Sequence, residues 1–458
     1  MKVHELVRRS EMPVPPSVLF AWHAAPGALQ RLLPPWESVQ VRRSWGGIEE
    51  GGRVELSVPV GPFRARWVAE HDEYREGESF RDVQTAGPFA LWEHTHRVEP
   101  AAGGSSLLED RVRYAVPLGA VGDRLAGAAV RRRLERVFAF RHERTRLDLL
   151  AHERYRDSGL MRILVSGATG LIGSELTAFL TAGGHRVVPL SRGGNPTEVV
   201  RWSPDAGTIE ADKLSGFDAV VHLAGESVLG RWTAEKRRRI RDSRVLGTRL
   251  LCESLAGLEE RHRPRVLVCA SATGYYGDRG DEVLTEDSPK GTGFLADVCE
   301  QWESACEPAR QAGIRVVNVR IGLVLTPKGG LLGSLLPVFR AGLGGRVGGG
   351  RQWMSWIAID DLIDVFHAAV MDESLAGPVN GTAPNPVTNA EFTKTLGRVL
   401  GRPTLLPVPR LAVRAALGEA ADELALASAR VLPARLTGRG HAFRYPELEP
   451  ALRFLLGS

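Results

Sequence analysis

Apolar and polar residues alternate through much of the first third of the chain. Residues 53–58, 63–68, 91–98 and 107–116 each show the period of two expected of strands with one wet face, with turn-rich pieces such as 101–106 between them. Residues 15–36 (PPSVLFAWHAAPGALQRLLPPW) read as two short helices broken near Pro26, after a first strand. From about residue 121 to 154 the period lengthens. Val130, Leu134, Val137, Phe138, Leu147 and Leu150 recur at helical spacing among arginines with no proline, which predicts one long helix. The polar stretch 155–160 ends in Ser158-Gly159 and reads as a linker. Beyond it, short, mainly apolar runs (163–165, 187–190, 218–223, 265–270) alternate with amphipathic segments, the pattern of a doubly wound parallel sheet.

The first of those runs enters a glycine-rich turn, SGATGLIGSEL, with Gly167, Gly170 and Gly173. The first glycine permits a tight turn, the second lets a pyrophosphate approach the backbone, and the third lets the next helix pack closely on the strand. A helix over 174–182, the stop Gly183-Gly184 and a second apolar run supply the context a dinucleotide site requires. Gly167, Thr169, Gly170, Leu171, Ile172 and Gly173 are therefore assigned to the cofactor. The end of the second strand decides between the two nicotinamide dinucleotides. An acid there would hold a ribose hydroxyl, whereas this chain has Ser191-Arg192, which suits a 2′-phosphate and predicts NADP(H). Leu223-Ala224-Gly225 suit the adenosine side, and the basic helix with Arg237, Arg238, Arg239 and Arg244 follows.

Length, charge and cysteines narrow the class. At 458 residues two or three domains are expected, and a net charge of +5 is only mildly basic for this length and suits anionic small molecules at least as well as nucleic acid. Four cysteines without CxxC pairing predict free thiols, and neither a signal core nor a membrane span is visible, so a cytoplasmic protein is expected.

The element order of the first 157 residues resembles the helix-grip fold of the START-like polyketide cyclase (SRPBCC) superfamily, an α+β domain whose sheet wraps its last helix around an apolar ligand. Trp45, Trp67 and Trp92 either line such a cavity or fill a core. His94 and His96 share one strand face. They are a metal-ligand pair only if a third ligand joins them, and none is evident, so hydrogen-bonded surface histidines and no metal are expected.

The remainder resembles the extended short-chain dehydrogenase/reductases at Ser271, in SATGYYG, but departs from them further on. Leu295 and Cys299 stand where that superfamily's Tyr-xxx-Lys pair would, and Arg244 stands where an asparagine is usual. With SRVLGT from Ser243, GGRVGGGRQWMSWIAIDDL from Gly344 and NGTAPNPVTNAEF from Asn380, the stretch resembles the epimerase-family atypical short-chain dehydrogenases. That resemblance implies an NADP-binding Rossmann domain over 161–404 and a family-specific module over 405–458, with cofactor contacts at Ser191, Arg192, Leu223, Ala224, Arg239, Arg244 and Val324.

A proton-exchanging group must then be found elsewhere, since leucine has none and Cys299 lacks the fixed positive charge that would depress a tyrosine's pKa and, in an apolar setting, tends to stay a neutral thiol. Ser271, Tyr275 and Tyr276 are the candidates. A mobile cover over 329–350 and helix capping by Asp360 or Asp361 are also expected, with Trp353 and Trp356 either closing the pocket beneath that cover or packing in the core. Two functions stay open: an NADP(H)-dependent oxidoreductase or epimerase acting on a small carbonyl or hydroxyl compound, or a binding protein that holds NADPH without turnover.

Overall fold

A computed structural model describes residues 2–195 and 198–458. The chain divides into two compact units, one running to Gly159, the other comprising Leu160–Thr177 and His185–Leu456. No helix among the described residues is long and apolar enough to cross a membrane.

The first unit is a seven-stranded antiparallel sheet. Its strands are β1 (His4–Met12), β2 (Gln40–Trp45), β3 (Arg53–Val60), β4 (Phe63–Arg75), β5 (Ser79–Ala86), β6 (Leu91–Pro100) and β7 (Ser106–Ala115), in the order β1-β7-β6-β5-β4-β3-β2. Two short helices, α1 (Pro16–Ala24) and α2 (Ala28–Leu32), precede β2, and the long α3 (Gly119–Glu153) closes the unit, which is the helix-grip arrangement. Strands β2 and β5 had no legible alternation. Edge strand β2 (QVRRSW) buries no residue, and β5 (SFRDVQTA) buries only Phe80. The core between sheet and helix is built from Trp92, Val112, Tyr114, Leu134 and Phe138, with Trp67 against Trp92 at 4.9 Å between ring centroids. Trp45 belongs to neither cavity nor core. It is 46% exposed on β2, with the Arg53 guanidinium over its ring.

His94 and His96 overturn the expectation of surface residues, being only 1% and 7% exposed. Both point from β6 to the helix side, where the His94 ring lies 5.0 Å from that of Phe138.

The second unit is an eight-stranded sheet. From one edge it runs β11 (Thr208–Ile209), β10 (Val200–Ser203), β9 (Arg186–Ser191), β8 (Arg162–Ser166), β12 (Ala219–His222), β13 (Val266–Ala272), then the strands Arg315–Ile321 and Gly377–Gly381. All neighbours are parallel except β10 and β11. Helices α4 (Leu171–Ala182), α5 (Ala234–Ala256) and α6 (Phe294–Ser304) follow β8, β12 and β13. The chain order places β8 and β12 side by side although β9 intervenes in sequence. This reversal creates the crevice at the carboxyl ends of the strands where α/β sheets bind ligands. All four cysteines are free and buried.

Candidate functional site

The glycine turn lies at the carboxyl end of β8, ahead of α4. Gly167 has φ 68°, the left-handed region that favours glycine, and a Cβ there would stand 3.0 Å from the backbone of Leu223 and Ala224. A Cβ on Gly173 would meet the Gly167 carbonyl oxygen at 2.1 Å, so helix and turn are in backbone contact. Gly170, by contrast, is exposed, and its Cβ would meet only the Gly167 oxygen at 3.2 Å. The turn is thus closed on its protein side and open outward at Gly170, the form of an anion cradle.

Beneath the turn is a network that the sequence did not advertise. The Ser166 hydroxyl accepts from the Leu223 and Ala224 amides at 3.0 and 3.2 Å and donates to His222 Nδ1 at 2.6 Å, while His222 Nε2 donates to Thr248 Oγ1 at 3.0 Å. Burial pushes the His222 pKa down to about 4, which fixes the neutral imidazole this pattern needs. The unfolded chain takes up a proton near pH 6.5 that the folded chain refuses until about 4, so stability is lost as pH falls through that window. We expect the second unit to be about 2 kcal/mol less stable at pH 5 than at pH 7 from this group. Denaturant unfolding checks it: His222→Gln should flatten the slope relative to the parent, and an unchanged slope would contradict the assignment.

Arginines gather beside Ala224-Gly225. Arg244 donates to the carbonyls of Glu226 and Ile240 at 2.9 and 3.0 Å, lies over the Trp302 ring, and would stand 3.3 Å from a Cβ on Gly225. Arg239 is exposed, paired with Glu235 at 2.8 Å and 3.9 Å from Glu226. Lys236 holds Glu226 at 2.6 Å. Ser191 and Arg192 end β9, next to β8, so they emerge at the same sheet edge as the glycine turn, with Arg192 exposed. Val324 lies in a short strand, Leu323–Leu325, paired with Trp356–Ala358.

The candidate catalytic hydroxyls belong to one cross-sheet assembly. Ser271, Arg320 and Asn380 are register partners on three neighbouring strands. Ser271 donates to Glu303 Oε1 at 2.7 Å, and Arg320 grips both carboxylate oxygens of Glu303 at 2.8 and 2.9 Å. Arg320 also donates to Tyr276 Oη at 3.0 Å, and that hydroxyl donates to Asn380 Oδ1 at 2.7 Å. Tyr276 is fully buried, and burial pushes its pKa up to about 12 against the opposing Arg320 charge. Both hydroxyl protons are thus held within the protein. Tyr275 stacks its ring on the Arg320 guanidinium at 3.5 Å and, like Thr273, keeps partial exposure. Glu303 and Arg320 were not singled out from sequence. For Arg320 the signal available was a charged residue near the end of RVVNVRI, a strand whose interior is mostly valine.

Where the superfamily's catalytic pair would stand, the structure has packing. Cys299 is buried, its pKa pushed up to about 12 by burial, which suits an inert thiol. The amides of Phe294 and Leu295 donate to the Glu423 carboxylate at 2.9 and 2.7 Å, so a residue of the last stretch satisfies the start of α6. Of the smaller expectations, Trp356 proves to be fully buried core rather than pocket wall. The stretch 329–350 includes a helix, Gly330–Arg340. Asp361 caps nothing on its own helix: its carboxylate accepts the backbone amides of Arg444 and Tyr445, while Asp364 pairs with Arg444 at 2.6 Å, tying down the chain's end.

Comparison with known proteins agrees with this architecture. Residues 163–380 match the model of the NAD dependent epimerase/dehydratase family, residues 12–139 that of polyketide cyclase / dehydrase and lipid transport, and residues 408–455 a domain of unknown function. Epimerase family protein Mb2239 of Mycobacterium bovis is 43% identical over 294 residues, 64% of this chain and 96% of that protein. The chain belongs to the epimerase family. Within it, a crystal structure described as the nucleoside-diphosphate sugar epimerase from Corynebacterium glutamicum is 35% identical with a TM-score of 0.81, covering 99% of this chain and 90% of that one. The human epimerase family protein SDR39U1, solved with NADPH, is also 35% identical, with a TM-score of 0.60 over 65% of this chain and 99% of its own. The chain is therefore an epimerase-family atypical short-chain dehydrogenase preceded by a polyketide cyclase domain.

Proposed function

We propose that the second unit binds NADP(H) and acts as an oxidoreductase or epimerase on a small carbonyl or hydroxyl compound. The observation that carries the cofactor reading is the cradle open at Gly170, at the same sheet edge as a half-buried Ser191 and an exposed Arg192 with no acid next to them in the sequence. Gly167, Thr169, Gly170, Leu171, Ile172 and Gly173 would hold the pyrophosphate. Leu223, Ala224 and Gly225 would face the adenosine, and Arg192, with Ser191, Arg239 and Arg244, would neutralise the 2′-phosphate. Val324 completes the contacts. The NADPH held by the human relative supports the same choice.

The bound nicotinamide would supply or accept hydride. The chain's part is the proton, and of the three candidates Tyr275 alone combines partial exposure with a hydroxyl not donated elsewhere in the assembly around Arg320. The Arg320 guanidinium stacked on its ring holds that ring in place. Ser271 and Tyr276 then act as positioning residues. A screen of carbonyl compounds that follows NADPH absorbance tests this. Tyr275→Phe should lower turnover about 100-fold or more, while Ser271→Ala has a smaller effect, and a fully active Tyr275→Phe would remove Tyr275 from the chemistry.

A second reading, NADPH binding without turnover, is favoured by one observation: Leu295 and Cys299 replace the proton-relay pair, and Cys299 is buried. Saturable NADPH binding with no oxidation across the screen would support it. For the first unit we propose an apolar ligand lying against Trp67, Phe89 and Trp92, to be sought by mass spectrometry of compounds that copurify.

A further inference from the structure

The buried histidines of the first unit do not stand alone. In the sheet register His94 of β6 faces Asp82 of β5, and His96 faces Asp110 of β7, so all four side chains project to the side occupied by α3. His94 Nε2 lies 3.5 Å and His96 Nδ1 2.7 Å from the same oxygen, Asp110 Oδ1. One ligand atom from each of the three residues falls within 4.8 Å of the others. We propose that His94, His96 and Asp110 form a binding site for one divalent transition-metal ion of the zinc class.

Two independent observations carry this. The first is the donor set. Two imidazole nitrogens and a carboxylate oxygen are the ligands of open zinc sites, in which bonds of about 2.0–2.2 Å place neighbouring ligand atoms roughly 3.3 Å apart, between the two separations seen here. The second is that the three converging atoms, though close to one another, make no well-formed hydrogen bond. His94 Nε2, His96 Nδ1 and Asp110 Oδ1 are buried with no hydrogen bond of acceptable geometry, although Asp110 is 3% exposed and His94 1%. Buried polar atoms are otherwise almost always satisfied, and three orphans aimed at one point call for a cation between them.

The surroundings are those of a supported metal site. His142 Nε2 donates to the other Asp110 oxygen at 3.1 Å and is itself held by Ser10 Oγ at 2.9 Å, which orients the carboxylate. Asp82 Oδ2 lies 3.5 Å from His94 Nδ1 and, like the three ligand atoms, makes no hydrogen bond of acceptable geometry, so it is placed to orient the His94 ring once an ion draws the ring in. His23 uses Nδ1 on the Leu19 carbonyl at 2.9 Å and sets its ring 5.6 Å from that of His96. Three protein ligands leave a fourth position for water or for an oxygen atom of a bound ligand.

The test uses the whole chain, stripped with a chelator and titrated with Co²⁺ while visible absorption is followed. One equivalent should bind, giving the intense ligand-field bands of a low-coordinate site, and Zn²⁺ should bleach them. His96→Ala should weaken binding at least about 100-fold, and Asp82→Asn, which removes only outer support, by about 10- to 100-fold. Asp110→Asn keeps the side-chain shape and provides the second ligand variant should His96→Ala fail to fold, as judged by circular dichroism. No visible band at saturating Co²⁺, or an unaltered titration in a folded Asp110→Asn chain, would overturn the proposal.

Discussion

Replacing Arg192 by aspartate should weaken NADPH binding about 10- to 100-fold and leave NADH binding unchanged or tighter. A charge-assisted bond to a phosphate contributes about 1.5–3 kcal/mol, and the new carboxylate adds repulsion in its place. Because Arg192 is exposed at the end of β9, the substitution disturbs no packing, so the change reads on the ligand alone. For NADH the aspartate can accept from the free 2′-hydroxyl, as the acidic residue of NAD-binding relatives of this fold does. Calorimetric titration of both dinucleotides against both proteins measures the effect. Equal NADPH affinity in parent and variant would place Arg192 outside the site.

The second large effect concerns stability. Arg320→Met should destabilise the second unit by about 3–5 kcal/mol, the usual result of removing one partner of a buried ion pair. The side chain of Arg320 is 4% exposed and that of Glu303 14%, and the loss leaves the carboxylate without the Arg320 charge, with the Ser271 hydroxyl still donating to it, and takes from the Tyr276 hydroxyl the bond it accepts. The same physics predicts that adding Glu303→Leu to Arg320→Met restores much of the stability, because no uncompensated charge then remains. Urea unfolding of the parent, the single and the double variant checks both statements. A single variant as stable as the parent would show that the pair is not structural. Since Arg320 also supports the ring of Tyr275, turnover in the single variant should fall even where the protein remains folded.

What could be read from the sequence was whatever is written locally. The glycine turn, the apolar runs of the parallel strands and the long arginine-rich helix each carry their own period, and the structure places them as expected, including α3 over Gly119–Glu153. The candidate hydroxyls were legible as types near a strand end, but their bonding was not. Ser271, Glu303, Arg320 and Asn380 lie on different elements, and only the sheet register brings Ser271, Arg320 and Asn380 into one line. The histidines show the same limit. Spacing of two put His94 and His96 on one face, but which face meets the helix, and that Asp110 stands opposite His96, depend on the pairing of β6 with β7. Asp361 looked like a helix cap because it opens a helix. Its partners, the amides of Arg444 and Tyr445, come from the far end of the chain, beyond the reach of any local pattern.

The central claim is that the carboxyl edge of the parallel sheet is built for a dinucleotide bearing a 2′-phosphate. Its most direct test is the pair of dissociation constants of the unaltered protein for NADPH and NADH, read from nicotinamide fluorescence at one ionic strength. NADPH should bind at least about tenfold more tightly, the share of one charge-assisted phosphate contact. Equal affinities, or tighter binding of NADH, would contradict it.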